Sequence, residues 1–369
     1  MRVAMVVEQS WQPVPGGSGT YVARLTEALA TLDPAPDVVG VRAAHPGGSE
    51  PAPHLRPSVR STAVAPVPRR VLYDAWNWAG APRAEHLVRG ADVVHATTWA
   101  VPPTRRPLVV TVHDLAFLRT PEHFTPRGAR YFRRSLARTR DEATRVVVPS
   151  VATRDDCVEA GIDAARVVVV PHGVRVPAVR AAEVEDFRTR HDLRRPYVLW
   201  CGTVEPRKNV DRLVEAFLAA DLPEPLDLVL VGPSGWGAGL AEHDTRQDRD
   251  VRHLGRLPEA DLHRAYAGAA AFCYPSLWEG FGMPVLEAMA HGVPVVTSAG
   301  TSMAEFTGDA GVLVDPRDVG DIAAGLTAVL GDAWTRLGEA GRRAAAGLTW
   351  EQAARATAAV YHDAAGQGG

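Results

Sequence analysis

The chain has 369 residues, more than one core of ordinary size needs and enough for two domains of about 150 to 200 residues each. Its formal net charge of -3 excludes the global basic field that is typical of a dedicated nucleic-acid binder. Composition therefore predicts a two-domain globular protein without a nucleic-acid partner, in which any site for a polyanion is local.

The cysteines and the N-terminus bear on the compartment. Cys157, Cys201 and Cys273 are odd in number, far apart and without metal-ligand spacing, so we interpret them as small core residues of a protein in a reducing environment. The first apolar run ends at Glu8, which is too short for a secretory signal or a membrane span. No later segment has about 18 uninterrupted apolar residues. We expect a cytoplasmic protein whose contact with membranes, where it occurs, is peripheral.

The first half of the sequence alternates short strands with helices. Runs of β-branched residues bounded by Gly, Pro or Asp predict strands at residues 3–7, 38–41, 93–95, 108–112, 146–148 and 167–170. Helical periodicity predicts helices at 21–32 and 127–140. Because this alternation is typical of a parallel sheet with crossover helices, we predict an α/β, doubly wound N-terminal domain over residues 1–176.

The second half repeats the scheme after a break. Residues 175–196 are rich in charge and poor in periodic apolar positions, so we place an interdomain linker at 177–195 and a C-terminal domain at 196–347. Strands are predicted near 197–201, 226–231, 270–274, 294–297 and 311–314, and helices at 210–220, 259–268, 284–291 and 319–330. Two doubly wound domains in one chain predict ligand sites at the carboxyl ends of both sheets, facing each other across a cleft.

Two segments fall outside this alternation. Residues 43–68 contain several Pro and Gly and little periodicity, which predicts a long irregular loop beside the cleft. Residues 350–365, within a C-terminal segment at 348–369, predict an amphipathic helix that packs back toward the N-terminal domain.

The most specific motif joins two glutamates, Glu279 and Glu287. Two glycines between them let a loop approach a ligand closely, and a proline suits the first turn of a helix whose free N–H groups attract an anion. One carboxylate can then point at the cleft mouth while the other lies about a turn deeper, where both accept hydrogen bonds from sugar hydroxyls. The alternative for either residue alone is a carboxylate that satisfies the helix dipole or is solvated. The intervening residues of this predicted donor-binding segment are Gly280, Phe281, Gly282, Met283 and Pro284.

A second motif follows the first strand of the second half, with Arg207 and Lys208 side by side at a strand-to-helix turn. Arginine provides a planar fork and lysine a point charge, which together with a helix N-terminus suit a diphosphate. The alternative is a solvated surface pair. Because the pair lies at the carboxyl end of a strand and accompanies the glutamate motif, we predict that it binds a diphosphate.

These motifs resemble those of the family 4 retaining glycosyltransferases of the GT-B fold, and the resemblance extends over nearly the whole chain. It implies two Rossmann-like domains and transfer of a sugar, with retention, from a nucleotide-diphosphate sugar. By the same resemblance, Glu279 contacts the hydroxyls of the donor sugar, Glu287 contacts the ribose and Lys208 contacts the diphosphate.

One departure from the family concerns the phosphate site. Many relatives have Gly-Arg where this chain has Gly202 and Thr203, and that arginine is a phosphate ligand in them. Either Arg207 takes over this role or Thr203 donates its hydroxyl, and the sequence leaves both alternatives open.

A glycine run follows the first strand of the N-terminal half. Gly16, Gly17 and Gly19 lie between that strand and the first predicted helix, where a short glycine run by itself indicates only a flexible loop. In the first strand-to-helix turn of a Rossmann-like domain, it lets backbone N–H groups meet an anionic group. The family uses a glycine loop at this position, which implies donor binding by Gly17 and Gly19.

His113 ends another predicted strand of this half, on the cleft side. A lone histidine is more often structural than functional. Relatives carry a histidine at this strand end that touches the donor sugar, which implies the same contact for His113. For the adjacent Asp114 we predict only that it orients the loop.

Residues 127–145 are basic, with arginines at helical spacing and aromatic residues between them. The first interpretation is a solvated helix face whose apolar side lies in the core. The second is a patch that meets anionic lipid headgroups or a polyprenyl-phosphate acceptor, as in some relatives. The arginines in question are Arg127, Arg130, Arg134 and Arg138.

No pair of carboxylates in these motifs is placed as the nucleophile and acid of a hydrolase. Catalysis would stabilise the departing diphosphate with Lys208, Arg207 and helix N-termini, while interdomain closure excludes water. None of the motifs contains Asp-x-Asp, so we predict a metal-independent enzyme with no cofactor beyond its nucleotide-sugar co-substrate. Its predicted catalytic residues are His113, Arg207, Lys208 and Glu279.

The donor and acceptor are less constrained. Strings that begin at His95, Thr111 and Gly202 resemble the mannosyltransferase branch, which implies GDP-mannose and a role in polysaccharide biosynthesis. A UDP-sugar is the alternative, because nothing near residues 251–256, where we expect base selection, distinguishes guanine from uracil. The predicted acceptor is a hydroxyl of a glycan or lipid-linked sugar. Two other functions stay open: a nucleotide-sugar epimerase of the same fold and a non-catalytic nucleotide-sugar binder.

Overall fold

A computed structural model of the protein describes residues 1–222, 225–233, 235 and 249–367. The chain divides into two compact units, one formed by Met1–Gly173 with Trp350–Gly369 and the other by Val174–Thr349. Each unit has its own parallel sheet and its own apolar core. Within these ranges no helix is both long enough and apolar enough to span a membrane.

The first unit is built on a seven-stranded sheet in which all neighbours are parallel. Its strands are β1 (Arg2–Val6), β2 (Asp37–Ala44), β3 (Ser61–Pro68), β4 (Val93–Ala96), β5 (Leu108–Thr111), β6 (Arg145–Val148) and β7 (Val167–Val169). Their order is β3-β2-β1-β4-β5-β6-β7. Every residue of β4 and β5 is buried, as expected for central strands covered on both faces.

Helices connect these strands. They are α1 (Gly16–Leu29), α2 (Arg69–Asp74), α3 (Ala84–Leu87), α4 (Ala116–Arg119), α5 (Pro126–Glu142) and α6 (Val151–Glu159). The N-termini of α5 and α6 are capped by the side chains of Thr125 and Ser150, which accept hydrogen bonds from backbone N–H groups.

The second unit has a six-stranded parallel sheet. Its strands are β8 (Tyr197–Cys201), β9 (Asp227–Val231), β10 (Val251–His253), β11 (Ala271–Tyr274), β12 (Val295–Ser298) and β13 (Val312–Val314), in the order β10-β9-β8-β11-β12-β13. Its helices are α7 (Ala181–Arg190), α8 (Val210–Ala219), α9 (Glu259–Ala267), α10 (Met283–His291), α11 (Ser302–Thr307), α12 (Val319–Leu330) and α13 (Trp334–Ala346).

The last helix, α14 (Trp350–Gly366), belongs to the first unit and packs against α1. A chain of buried hydrogen bonds ties it to the sheet. Tyr361 Oη lies 2.7 Å from His95 Nδ1, His95 Nε2 lies 2.8 Å from Thr111 Oγ1, and Thr111 Oγ1 lies 2.9 Å from Tyr21 Oη. These hydrogen bonds therefore connect α14 through β4 and β5 to α1.

Both sheets are doubly wound, which confirms the predicted fold class. In the first sheet the strand order reverses between β1 and β4, and in the second it reverses between β8 and β11. Ligands of open α/β sheets bind beyond the carboxyl ends of strands at such reversal points. The loops that follow β8 and β11 are therefore the first place to look for a site in the second unit.

The prediction of an irregular loop at residues 43–68 is wrong at both ends. Ala43 and Ala44 belong to β2, and Ser61–Pro68 forms β3, which pairs with β2 in parallel. The prolines of this strand concealed it in the sequence. They are tolerated because β3 lies at the edge of the sheet, where outward-facing N–H groups have no neighbour to bond.

The predicted linker at 177–195 also differs from the structure. It contains α7, and Phe187 and Leu193 belong to the apolar core of the second unit. This core places the boundary between the units earlier, at Gly173 and Val174. The segment escaped prediction because charged residues surround its few buried apolar positions.

All three cysteines are free, and two of them match the interpretation as small core residues. Cys157 and Cys273 are buried, whereas Cys201 is partly exposed at the carboxyl end of β8. Cys201 thus borders the reversal point between β8 and β11.

Candidate functional site

The loop after β8 brings Arg207 and Lys208 to the reversal point of the second sheet. Asn209, with a φ of 61°, adopts the left-handed conformation between this loop and α8. Its Nδ2 donates hydrogen bonds to the carbonyl oxygens of Pro275 at 2.9 Å and Pro316 at 2.6 Å. Asn209 therefore fastens the basic loop to the loop that follows β11.

The loop after β11 carries Glu279 into α10. Gly282 has a φ of 100°, and a Cβ at this position would lie 2.4 Å from Met303 Cγ, so only glycine fits. Ser302 Oγ donates to the carbonyl oxygens of Glu279 at 2.7 Å and Phe281 at 3.2 Å. These hydrogen bonds from α11 hold the backbone of the loop, which restricts movement of the Glu279 carboxylate.

Arg207, Lys208 and Glu279 meet in one ion cluster. Lys208 Nζ lies 2.5 Å and a guanidinium nitrogen of Arg207 lies 3.0 Å from the same oxygen, Glu279 Oε1. Arg207 Nε lies 3.0 Å from Glu205 Oε2, and Arg207 also donates to the carbonyl oxygen of Trp278 at 3.2 Å. The cluster contains two cations and two carboxylates, so its formal charge is balanced.

The cluster is shielded from solvent. Lys208 and Glu279 are only 8% and 7% exposed. Burial alone would raise the pKa of Glu279, but the charges of Arg207 and then Lys208 outweigh it and lower the pKa to about 2. Burial lowers the pKa of Lys208, and the charge of Glu279 opposes this effect. A buried cation beside a buried anion at a strand end is an arrangement suited to an anionic ligand with sugar hydroxyls.

Sequence reasoning missed Tyr274, the last residue of β11. Lys208 Nζ donates a hydrogen bond to Tyr274 Oη, and the ammonium lies 5.0 Å from the centroid of the ring. Tyr274 is fully buried, and burial together with the charge of Glu279 raises its pKa well above the ordinary value. The phenol therefore stays neutral. A tyrosine directly before Pro-Ser carries no recognisable signal in one sequence, because only the fold brings it to Lys208.

A signal for Lys208 was present in the composition. Of the 40 lysine and arginine residues in the chain, Lys208 is the single lysine. An ammonium is a compact point charge, whereas a guanidinium is a planar fork that requires different acceptors. The single lysine of an arginine-rich chain lies where two acceptors, Tyr274 and Glu279, converge on one nitrogen.

Glu287 lies on α10, next to the end of β8. Burial, followed by the charge of Glu287, raises the pKa of the Cys201 thiol to about 12. Glu287 is more exposed than Glu279, as expected for a residue that reaches a ligand at this edge of the sheet. The structure therefore brings Glu287 to the same edge as Lys208 and Glu279.

The other predicted donor residues of this unit differ in what they can offer. The ring of Phe281 is buried and contacts that of Phe306. Met283 and Pro284 form the first turn of α10, and Thr203 is partly exposed after β8. Gly202 lies against Trp200 and Tyr274, since a Cβ there would be 3.3 Å and 3.6 Å from them. The structure places these residues at one edge of the sheet, together with Gly280 and Gly282 of the glutamate loop.

A close approach of two loops was also missed. A Cβ on Gly232 would lie 1.9 Å from the carbonyl oxygen of Gly202, so the loop after β9 touches the loop after β8. The end of β10 lies beside it, because Gly232 donates its N–H to the carbonyl oxygen of Gly255 at 2.9 Å. Residues 251–256, where base selection was predicted, thus border the same edge.

In the first unit, His113 follows β5. Its Nε2 lies 3.0 Å from the carbonyl oxygen of Thr97, which can only accept, so Nε2 carries the proton. Its ring meets that of Tyr21 edge-on at 4.9 Å. Burial lowers the pKa of His113, which keeps the imidazole neutral. Asp114 Oδ1 accepts from the N–H of Ala116 at 3.0 Å and so orients the start of α4.

The glycine run was predicted to form a loop before the first helix, but it belongs to that helix. Gly16 begins α1, which starts five residues earlier than expected, and Gly17 and Gly19 lie in its first turn. The reason is local packing: a Cβ on Gly19 would lie 2.4 Å from Pro15 Cβ, so glycine is required for the helix to start there. Open space surrounds Gly17, where a Cβ would meet nothing within 4 Å. The glycines therefore expose a helix N-terminus and not a flexible loop.

The basic segment 127–145 consists mainly of α5, and most of its predicted arginines bind protein groups. Arg127 pairs with Asp74 at 2.5 Å, Arg138 pairs with Glu142 at 2.8 Å, and Arg134 donates to the carbonyl oxygen of Asn77. These contacts favour the structural interpretation for three of the four arginines. Arg130 is exposed.

The chemical capacity of the second unit follows from these contacts. Its carboxyl edge combines a buried lysine, a partly buried arginine, two glutamates and the N-terminus of α10, a set that fits a sugar joined to a diphosphate. No group of three or more His, Cys, Asp or Glu side chains among the described residues is arranged to hold a metal ion.

The chain matches the models of two glycosyltransferase families. A family model described as "Glycosyltransferase Family 4" matches residues 15–176, and one described as "Glycosyl transferases group 1" matches residues 195–332. The O-antigen chain mannosyltransferase B of Escherichia coli is 34% identical over 281 residues, which cover 73% of this chain and 74% of that protein.

Solved structures show the same fold. A sucrose-phosphate synthase from Thermosynechococcus elongatus matches with a TM-score of 0.74 at 24% identity, and the match covers 98% of each chain. HepE of Anabaena, in complex with UDP and glucose, matches with a TM-score of 0.72 at 18% identity and covers 98% of this chain and 100% of that chain. The chain therefore belongs to the family 4 glycosyltransferases, enzymes of the GT-B fold that transfer a sugar from a nucleotide sugar.

Proposed function

We propose that the protein is a retaining hexosyltransferase that moves mannose from GDP-mannose to a hydroxyl of a glycan or lipid-linked acceptor. The observation that carries the proposal is the ion cluster of Lys208, Arg207 and Glu279 at the point where the second sheet reverses its strand order. In this proposal Lys208 and Arg207 stabilise the departing diphosphate, and Glu279 accepts hydrogen bonds from the donor sugar. Glu287 accepts hydrogen bonds from the ribose.

The reaction breaks the bond between the anomeric carbon and the diphosphate oxygen and forms a bond to the acceptor oxygen on the same face. The acceptor proton leaves with the diphosphate. Retention rests on the resemblance to the family, and comparison of the anomeric configuration of donor and product by NMR tests it. An inverted product would overturn this part of the proposal.

We propose that the cationic side chains do the work that Mg²⁺ does in other transferases. Two cations next to the departing diphosphate supply the charge that a metal would supply. Either Arg207 or Thr203 replaces the phosphate arginine of many relatives. Arg207 is bound to two carboxylates, Glu205 and Glu279, whereas Thr203 is partly exposed after β8. Separate Ala substitutions, compared by nucleoside diphosphate affinity, distinguish the two.

In the first unit, the proposal assigns donor contacts to His113, Gly17 and Gly19. A neutral imidazole can accept from a sugar hydroxyl through Nδ1, because Nε2 donates to Thr97. The N-terminus of α1 offers backbone N–H groups to an anionic group.

Mannose as the donor sugar is supported by the similarity to the mannosyltransferase of Escherichia coli. UDP is the competing base, since HepE, which shares the fold, was solved with UDP and glucose. A thermal-shift comparison decides between them: a ligand at about 100 times its dissociation constant stabilises by about 2.7 kcal/mol, or several degrees in melting temperature. Stabilisation by UDP and not by GDP at equal concentration would overturn the mannose assignment and leave the transferase assignment intact.

Product analysis with and without acceptor tests the activity itself. A panel of nucleotide sugars is incubated with candidate lipid-linked and glycan acceptors, and the products are identified by mass. We expect transfer that requires acceptor. A changed nucleotide sugar in the absence of acceptor would indicate the epimerase, and binding without any conversion would indicate the non-catalytic binder.

We further propose that the enzyme acts in the cytoplasm in polysaccharide biosynthesis. The odd number and wide spacing of the cysteines, all of them free, support a reducing compartment. Peripheral membrane contact through residues 127–145 is part of this proposal, although three of the arginines have protein partners. Sedimentation with vesicles that contain anionic lipid tests it, because an unchanged free fraction would remove the membrane from the proposal.

A further inference from the structure

We propose that Tyr274 is a positioning residue of the donor site, which holds the Lys208 ammonium in the orientation that the leaving diphosphate requires. The proposal rests on the proposed function, in which Lys208 binds that diphosphate. Lys208 Nζ donates one hydrogen bond to Tyr274 Oη and one to Glu279 Oε1. An ammonium has three protons, and the third has no acceptor among the residues that the structure describes.

The phenol is fixed by its surroundings. Tyr274 ends β11, and its ring stacks on those of Phe272 at 5.7 Å and Trp200 at 6.2 Å. All three side chains are fully buried. Gly202 adds a further wall, because a Cβ there would lie 3.6 Å from Tyr274 Oη. Because close packing around the ring fixes the hydroxyl of Tyr274, the hydroxyl defines one position for the ammonium.

The chemistry of the two acceptors explains why both are present. Glu279 holds Lys208 by charge, and a carboxylate that close neutralises much of the positive charge. Tyr274 is neutral and holds the ammonium without cancelling its charge. When Glu279 accepts hydrogen bonds from a donor sugar, Tyr274 is the acceptor that still fixes Lys208. A positive charge held by a neutral group remains available to the diphosphate.

Tyr274→Phe removes the hydroxyl and retains the ring. We expect kcat for transfer to fall about tenfold, because a hydrogen bond to a charged group is lost. The KM for the acceptor should stay unchanged. The pKa of Lys208 should fall by on the order of one pH unit, because a buried ammonium that loses an acceptor is harder to keep charged.

The single lysine makes this pKa directly measurable. Protein grown with ¹³C- and ¹⁵N-labelled lysine gives one side-chain signal, and its ε-carbon shift can be followed against pH in the full-length protein. This readout does not depend on turnover, so it separates the two proposals. If no nucleotide sugar is turned over, the proposed function fails, and the titration still decides the role of Tyr274.

Tyr197→Phe is the matched control. Tyr197 is equally buried in the same sheet, and its hydroxyl donates to the carbonyl oxygen of Ala265 at 2.7 Å. Tyr197 begins β8, whereas Lys208 follows the end of that strand. The control loses the same atom from an equally buried ring, but its hydroxyl donates to a carbonyl group, whereas that of Tyr274 accepts from the ammonium. We expect its kcat and its Lys208 titration to match those of the unchanged protein. Equal losses in both variants, or a Lys208 titration unaltered by Tyr274→Phe, would overturn the proposal.

Should Tyr274→Phe fail to fold, the unchanged protein provides the answer. With the ammonium 5.0 Å from the ring centroid, the ε-protons of Lys208 should be displaced by the ring current and should show nuclear Overhauser contacts to a tyrosine ring. A random-coil shift without such contacts would refute the inference.

Discussion

Replacement of Lys208 by Met tests the ion cluster most directly. The change removes one charge and retains the length of an unbranched side chain, so packing is disturbed little. Tyr274 Oη and Glu279 Oε1 both lose the Lys208 ammonium as a hydrogen-bond donor. Arg207 remains 3.0 Å from Glu279 and becomes its sole cationic partner in the cluster.

The expected loss of activity follows from the proposed role. One preorganised cation at a developing negative charge contributes about 3 to 4 kcal/mol to the transition state, which corresponds to a factor of a few hundred in turnover. Initial rates of transfer at saturating donor measure this loss. The control is Arg336→Met, which removes an exposed cation from the same unit. A loss below about fivefold for Lys208→Met would refute the assigned role.

The same variant has a predictable effect on stability. The folded-state pKa of Glu279, about 2, lies below its usual value of 4.5, so its ion pairs stabilise the folded state above pH 4.5. This stabilisation is lost as the pH falls from 4.5 toward 2. Without Lys208 the pKa of Glu279 should rise, so the variant gains less from ionisation. Urea unfolding should show a large difference in free energy at pH 7 that narrows at pH 3. A difference independent of pH would contradict this account.

Three further outcomes are expected. Glu279→Ala should reduce transfer more than it weakens nucleoside diphosphate affinity, and equal losses, measured by calorimetry and rate assays, would place Glu279 elsewhere in the site. Transfer should survive excess EDTA, whereas complete loss that Mg²⁺ restores would contradict the metal-free proposal. Tyr361→Phe should lower the free energy of unfolding by about 1 to 3 kcal/mol in urea titrations, because His95 Nδ1 loses its partner in a buried site. A change below about 0.5 kcal/mol would mean that this hydrogen-bond chain contributes little.

Local signals were sufficient for the architecture and for part of the site. Strands such as β8 and β11 are short apolar runs with sharp boundaries. The alternation of strand-like and helix-like periodicity depends only on residues that are close in the sequence. The Arg207-Lys208 pair and Glu279 of the glutamate motif both follow predicted strand ends. Because parallel strands share their carboxyl edge, that placement predicted a ligand site at this edge of the sheet.

Other features depend on residues that are distant in the sequence. Tyr274 reaches Lys208 because β11 lies beside β8 in the sheet, and strand order is not written in any local pattern. β3 was hidden because its prolines are acceptable only at a sheet edge, and whether a strand is at the edge is decided by the finished sheet.

The start of α1 and the pKa of Glu279 also depend on tertiary contacts. The first turn of α1 was mistaken for a loop, since glycine is a poor helix former and only the contact between Gly19 and Pro15 makes it necessary. The ionisation of Glu279 is set by two cations from another loop against the effect of burial. Periodicity and motif spacing thus determined the fold class and the chemical types at the site, whereas tertiary packing decided which groups touch, because contact and burial are properties of the assembled sheet.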